Sequence, residues 1–233
     1  MLGKTRYFKE FYRRIVVGKL GFDPSRDSVA SQYISSTIDC GLVEKAWRNI
    51  TELSKNKEAL VVGPVFHDEP ACTAGGDTIV IGADGSSLIY YYHTGRFPDI
   101  TVSDLDGPMI MYNMIVQHSK WIVVHPHGDN VYRLAALSYL LEYDKTLYTT
   151  QTEDYRCIRN IGGFTDGDRA ILLAVLLGFN RIRICGFSDK PVALHKEAPS
   201  IVDLYSKRVK LELAKQVIGK IKEVYGDRIK FIS

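Results

Sequence analysis

The segment Ile100-Thr101-Val102-Ser103-Asp104-Leu105-Asp106-Gly107-Pro108 joins a short β-branched run to a pair of acids and a Gly-Pro stop. Its apolar part reads as a strand buried on both faces. Residues i and i+2 of a continuing strand point to one face, so Asp104 and Asp106 are expected to converge. Like charges that close require a cation between them, or one must take up a proton. Magnesium, which takes a few carboxylates together with phosphate oxygens, is the expected cation. The segment therefore points to metal-assisted phosphate chemistry at the end of a buried strand.

The same pattern recurs along the chain. Ala59-Leu60-Val61-Val62 ends at Gly63-Pro64, and Thr78-Ile79-Val80-Ile81 ends at Gly82-Ala83-Asp84-Gly85. Trp121-Ile122-Val123-Val124 ends at His125-Pro126-His127-Gly128-Asp129, and Arg181-Ile182-Arg183-Ile184-Cys185 ends at Gly186. Helical spacing lies between most of these runs: Asn130 to Glu142, Asp168 to Leu177 with Thr165 as cap and Gly178 as stop, and Ser200 to Val224 with a Ser200–Asp203 cap. The alternation predicts an α/β fold, a doubly wound, mostly parallel, Rossmann-like sheet. Ligands of such sheets bind at the carboxyl ends of the strands, the edge where these glycines and acids fall. Residues 1–58 read as a helical N-terminal segment, broken at Gly21-Phe22-Asp23-Pro24-Ser25, with Ser25 to Ser28 offering a helix cap. Residues 59–233 read as the α/β catalytic domain.

The 233 residues carry a net charge of +3, too little to argue for nucleic-acid binding. The basic, aromatic N-terminus has no uninterrupted apolar core and does not read as a signal peptide. No run approaches the roughly 18 apolar residues of a membrane span. Cys40, Cys72, Cys157 and Cys185 are scattered and are expected to be reduced, partly buried thiols of a cytoplasmic protein. The sequon Asn49-Ile50-Thr51 carries no meaning without export.

Several residues admit two readings. Asp84 joins Asp104 and Asp106 as a metal ligand, or shapes its turn. Asp129, Asp166 and Asp168 are by residue type turn or cap residues, the last two flanking a helix start. In His125-Pro126-His127, one histidine contacting a phosphate while the other supports the loop is favoured over zinc. His67, His93, His118 and His195 have no informative spacing. Gly63-Pro64 either admits a phosphate or is a plain turn. No Gly-x-Gly-x-x-Gly or Walker A sequence is present, and Gly3-Lys4-Thr5 only imitates the tail of one. Lys207 and Lys210 share a helix face, either solvated or facing a triphosphate. Tyr90-Tyr91-Tyr92 and Phe97-Pro98 read as packing rather than as a stacking platform.

Taken in order, Gly63-Pro64, Gly82-Ala83-Asp84-Gly85, Ser103-Asp104-Leu105-Asp106-Gly107, His125 to Asn130, Gly163-Phe164-Thr165-Asp166-Gly167-Asp168-Arg169-Ala170 and Lys207 to Leu211 resemble the archaeal-type 6-hydroxymethyl-7,8-dihydropterin diphosphokinases. Gly21-Phe22 and Arg26-Asp27 resemble that family's N-terminal segment. Val65-Phe66 stands where the family carries Ser-Leu, which removes a hydroxyl donor from the first turn. The resemblance implies a fold similar to thiamin pyrophosphokinases. It implies magnesium on Asp84, Asp104 and Asp106, and a nucleotide cleft lined by His127, Asp129, Asn130, Asp166 and Asp168. Lys207 and Lys210 would meet phosphates. ATP and a reduced pterin would be the substrates, with AMP released and the product feeding folate or methanopterin-type synthesis. Analogy with the related kinases suggests a homodimer. The alternatives are a thiamin pyrophosphokinase-like enzyme with another acceptor, a domain related to nucleotide-sugar glycosyltransferases, and a non-catalytic nucleotide sensor.

Overall fold

The computed structural model describes residues 2–67, 69–187 and 201–232, without the side chains of 2–5 and 201–204. The expected Ser200–Asp203 cap and His195 lie outside the described residues and side chains. The chain opens with helix α1 (Leu2–Phe11), which runs through a π-helical turn (Tyr12–Val16) into α2 (Val17–Leu20). Gly21, at φ +66°, ends that rod in the left-handed region. Helices α3 (Pro24–Thr37) and α4 (Cys40–Ser54) follow. The cap of α3 is Asp23, which accepts from the Ser25 amide at 2.9 Å, and not a serine of the 25–28 segment. Pro24, pre-set for the first helical position, moves the helix start forward. Helix α4 buries Val43, Ala46, Trp47 and Ile50, spaced three to four residues apart on one stripe.

The sheet and its helices then alternate: β1 (Glu58–Val62), β2 (Thr78–Ala83), α5 (Ser86–Thr94), β3 (Ile100–Ser103), α6 (Met109–His118), β4 (Trp121–Val124), α7 (Val131–Leu137), β5 (Thr146–Thr150), β6 (Arg159–Asn160), α8 (Asp166–Leu177), β7 (Arg181–Cys185), α9 (Ile201–Tyr225) and β8 (Ile229–Ile232). The strands form one 8-stranded sheet in the order β6-β5-β4-β3-β2-β1-β7-β8, with every pairing parallel. The winding marches from β1 to one edge and then returns past β1 to β7 and β8, as a doubly wound sheet does. Strand β1 is buried on both sides: Ala59 and Val61 join the large core with α4, α8 and α9, whereas Leu60 and Val62 join Phe66, Val80 and Tyr90 opposite. Phe8, Phe11, Tyr12 and Trp47 of the N-terminal helices belong to the large core, continuous with the sheet.

Register brings the acid-bearing turns abreast. Ala83 pairs with Val102, and Val102 with Val123, so the residues after β2, β3 and β4 leave the sheet side by side. At the first turn, Gly63 and Gly186 let two chain segments touch. A Cβ on Gly63 would stand 2.5 Å from the Gly186 carbonyl, and one on Gly186 would stand 2.5 Å from the Phe66 amide.

The cysteines depart from expectation. Cys40 bonds Cys157, and Cys72 bonds Cys185, across sequence separations of 117 and 113, so the four thiols are not reduced. The Cα–Cα distances of 5.4 and 5.9 Å fall in the ordinary bridging range, which scattered sequence positions do not reveal. Disulfides also occur inside cells of hyperthermophiles, so the pairing does not assign a compartment. No helix among the described residues is long and apolar enough to cross a membrane.

Candidate active site

At the carboxyl edge β3 ends at Ser103, and Leu105 adopts φ +58°. Asp104 and Asp106 are therefore not successive outward residues of a strand, as the sequence reading supposed. They belong to a turn, in which the Asp106 amide donates to Asp104 Oδ1 at 3.1 Å. A left-handed leucine is strained and persists only where its surroundings impose it. Leu105 is fully buried, and its amide donates to Ser103 Oγ at 2.9 Å.

The same hydroxyl ties this turn to the next strand. Ser103 Oγ donates to Asp84 Oδ1 at 2.7 Å, and Tyr112 Oη donates to the same oxygen at 2.9 Å. Tyr112 Oη in turn accepts from the Gly107 amide at 2.7 Å. Arg133 Nη1 donates to the Gly107 carbonyl at 2.8 Å. Asp84, also left-handed at φ +48°, is thereby locked beside the turn that carries Asp104 and Asp106. Tyr112 carries no motif, and the role of Ser103, though it heads the Ser103–Gly107 block, is not foreseen from sequence.

The charges of these acids act on one another. Burial, then the like charges of Asp104 and Asp84, push the Asp106 carboxyl up to about 6, although its outer side remains open to water. Burial also pushes Asp104 upward, but the His127 ring (Nε2 to Oδ2, 3.5 Å) and Arg169 outweigh it and hold the carboxyl below the usual range. Asp166 is driven well above that range, first by burial and then by Asp104, with Asp84 and Asp106 adding to the effect and Arg169 opposing it. Among the described residues, no three His, Cys, Asp or Glu side chains converge in metal-ligating geometry. What the carboxylates of Asp84, Asp104, Asp106 and Asp166 share is electrostatic: Asp84 and Asp104 raise Asp106, and all three raise Asp166. Such a set of hard oxygen donors fits magnesium or another hard divalent cation, not zinc.

A cleft of about 360 Å³ opens beside the cluster. Of the expected site residues, Asp104, His127, Asp129, Asp166 and Lys210 line it. Asp84 and Asp106 adjoin Asp104 outside that lining. Arg169, 3% exposed, is the buried cation of the cleft and donates to Asp166 Oδ1 at 2.9 Å. Arg169 stands in the Gly163–Ala170 block, but nothing in the sequence marks it for this place. Asp129 is exposed and pairs with Arg26 at 2.7 Å. Asn130 is buried and organises the loop: its amide donates to the carbonyls of Asp104 (2.6 Å) and His125 (2.9 Å), and its Oδ1 accepts from the His127 amide at 2.8 Å. Asp168 closes the capping box of α8, accepting from the Phe164 and Thr165 amides at 3.0 and 2.7 Å, while its Oδ2 is buried without a partner.

Lys207 is half-buried on α9, and burial followed by the Lys210 charge pulls its ammonium down. Lys210 sits 5.9 Å from the centre of the Phe22 ring at the cleft. Gly63 and Pro64 stand apart from the cleft lining. The Gly63 amide donates to Cys185 O at 2.8 Å, the Val65 amide to Gly186 O at 2.9 Å and the Phe66 amide to Gly63 O at 3.2 Å, while Pro64 has no donor. In this conformation the turn offers no free amide. Of the tyrosine run, Tyr90 is core, Tyr91 stacks on Phe97 at 4.4 Å and Tyr92 faces solvent, all away from the cleft lining.

The family profile described as 6-hydroxymethylpterin diphosphokinase MptE-like matches residues 44–188, the part of the chain that carries β1 to β7 and the acids at the carboxyl edge. The chain belongs to that family. Proteins named 6-hydroxymethyl-7,8-dihydropterin pyrophosphokinase are similar over most of its length. One from Methanothermobacter thermautotrophicus is 31% identical over 232 residues, covering 92% of this chain and 94% of that protein. One from Pyrococcus furiosus is 31% identical over 230 residues, covering 94% of each. One from Methanocaldococcus jannaschii is 32% identical over 155 residues, covering 62% of this chain and 63% of that protein.

Proposed function

We propose that the chain is a 6-hydroxymethyl-7,8-dihydropterin diphosphokinase that takes diphosphate from ATP. In this reading the hydroxymethyl oxygen forms a bond to the β-phosphorus, the bond from that phosphorus to the oxygen bridging the α- and β-phosphates breaks, AMP leaves, and one proton is released. The observation that carries the reading is the cluster of acids at the carboxyl edge, where Asp84 and Asp104 raise Asp106 and Asp166, beside a cleft that also holds Arg169 and Lys210.

Asp84, Asp104 and Asp106 are the residues that would hold magnesium, with Asp166 as a fourth carboxylate in the same field. The bound cation would neutralise charge on the phosphate oxygens and orient them. The protein's own part is positioning. Ser103 and Tyr112 fix Asp84, Asn130 fixes the backbone of the Asp104 turn, and His127 holds Asp104 ionised. Arg169 keeps Asp166 facing the cleft, and Lys210 supplies positive charge at its mouth. Transfers of this type depend on alignment and charge neutralisation more than on covalent help.

The test is a panel of acceptors incubated with ATP and magnesium, with AMP quantified. AMP is expected to appear stoichiometrically with pterin diphosphate when 6-hydroxymethyl-7,8-dihydropterin is supplied, and not with thiamin. Transfer to thiamin, or no AMP with the pterin, overturns the reading.

A further inference from the structure

The floor of the cleft is polar and buried, made by the N-terminal helices together with the ends of β4 and β5. Tyr12 (1% exposed), Asp27 (5%), His125 (2%) and Gln151 (9%) form it, and Phe22 and Phe164 add aromatic surface, their ring centres 6.3 Å apart. Among the described residues Asp27 has no cationic partner, and the neighbouring Arg26 pairs with Asp129 instead. Its Oδ2 accepts from Tyr12 Oη at 2.6 Å and from Gln151 Nε2 at 2.9 Å, and its Oδ1 accepts from the Gly128 amide at 2.9 Å. A carboxylate has about four acceptor positions, so one on Oδ1 is left. A buried carboxylate held only by neutral donors is costly and calls for a ligand that donates to it.

The neighbouring amide oxygen is an acceptor too. Gln151 Oε1 faces the His125 ring, a donor to it, and a carbonyl oxygen with two lone pairs keeps a second acceptor position. The floor thus offers a row of two acceptors, Asp27 Oδ1 and Gln151 Oε1, whose side chains are joined by the Gln151 Nε2 bond to Asp27.

A ligand edge that suits such a row carries adjacent N–H donors. The 2-amino group and N3–H of a pterin are such an edge. Adenine alternates the N6 donor with the N1 acceptor, which a carboxylate would repel. The phosphates of ATP are drawn instead to the end of the cleft that holds Arg169 and Lys210. Resting on the diphosphokinase reading above, we propose that Asp27 and Gln151 form the acceptor-specificity subsite, reading the 2-amino–N3–H edge of the pterin while Phe22 and Phe164 flank the ring.

The test compares kcat/KM for 6-hydroxymethyl-7,8-dihydropterin with that for the analogue bearing a 2-oxo group in place of the 2-amino group, in the wild-type protein, Asp27→Asn and Gln151→Leu. A site built to accept from the amino group rejects the analogue, by at least about 100-fold in the wild type. Asp27→Asn, which can donate to the 2-oxo group, is expected to bring the preference within about tenfold with the KM for ATP unchanged. Gln151→Leu is expected to narrow the preference in the same direction, and it carries the test if Asp27→Asn fails to fold. A purely structural role for these residues would lower turnover of both acceptors equally and leave the ratio intact, which overturns the proposal. A rise in the KM for ATP with the ratio intact would place the nucleotide on this floor and likewise overturn it. If the wild type turns over neither acceptor, the diphosphokinase reading itself fails, a result distinct from an intact ratio in an active enzyme.

Discussion

Replacing Asp106 by Asn should stabilise the protein while abolishing its activity. The Asp106 carboxyl is raised from 3.8 to about 6, by burial and then by the charges of Asp104 and Asp84. A carboxyl with a raised folded-state value favours folding most below its unfolded value near 4, and that contribution is lost as pH rises through about 6. At pH 8 the ionised side chain therefore opposes folding. A shift of two units corresponds to roughly 3 kcal/mol, and solvent on the outer side of Asp106 reduces this to roughly 1 kcal/mol. For a chain of this size that is a rise in Tm of roughly 2–4 °C for Asp106→Asn at pH 8 in the presence of a chelator. The gain should shrink at pH 5, where the wild-type residue is already largely protonated. Differential scanning calorimetry at both pH values, with AMP release measured in parallel, checks both halves. A lower Tm at pH 8, or retained diphosphate transfer, would show that Asp106 is an isolated surface acid.

Other expectations follow from the same contacts. Asp166→Ala leaves the Arg169 guanidinium buried without its carboxylate, so, unlike Asp106→Asn, it should cost roughly 3 kcal/mol in denaturant unfolding. Gly63→Ala drives a Cβ into the Gly186 carbonyl and should destabilise by roughly 2 kcal/mol whether or not ATP is present; stabilisation by ATP that disappears only in this variant would instead place phosphate at the turn. Lys210→Ala, at an exposed position, should leave Tm unchanged and raise the KM for ATP about tenfold, and unchanged ATP kinetics would return Lys210 to the solvated surface.

The sequence carried the sheet where strands are buried on both faces. The runs at 59–62, 78–81, 100–102 and 121–124 are continuous and apolar or β-branched, that at 181–185 alternates arginine with isoleucine, and each lies within an observed strand. Strand β5, Thr-Leu-Tyr-Thr-Thr, mixes polarity because its hydroxyls find partners inside, Thr149 against His125 and Thr150 against Ser31. Strand β6 is too short for any period to show, and β8 follows a long helix with one alternating apolar pair. The acids were readable because turns at the ends of buried strands leave few other reasons for paired carboxylates. Their geometry was not: the strand stops at Ser103 and a left-handed leucine carries the turn, which no alternation rule anticipates. Asp27 looked like an ordinary acid in a helix's first turn, because its partner Gln151 lies 124 residues away. Long-range pairing likewise hid both disulfides.

Proton-linked magnesium binding, measured by titration calorimetry in buffers of different ionisation enthalpy, tests most directly whether Asp84, Asp104, Asp106 and Asp166 act as one cation site. At pH 6 magnesium binding to the nucleotide-free protein should release protons, the release should fade by pH 8, and Asp106→Asn should abolish it. Binding without proton release at pH 6, or unchanged in that variant, would contradict a shared site.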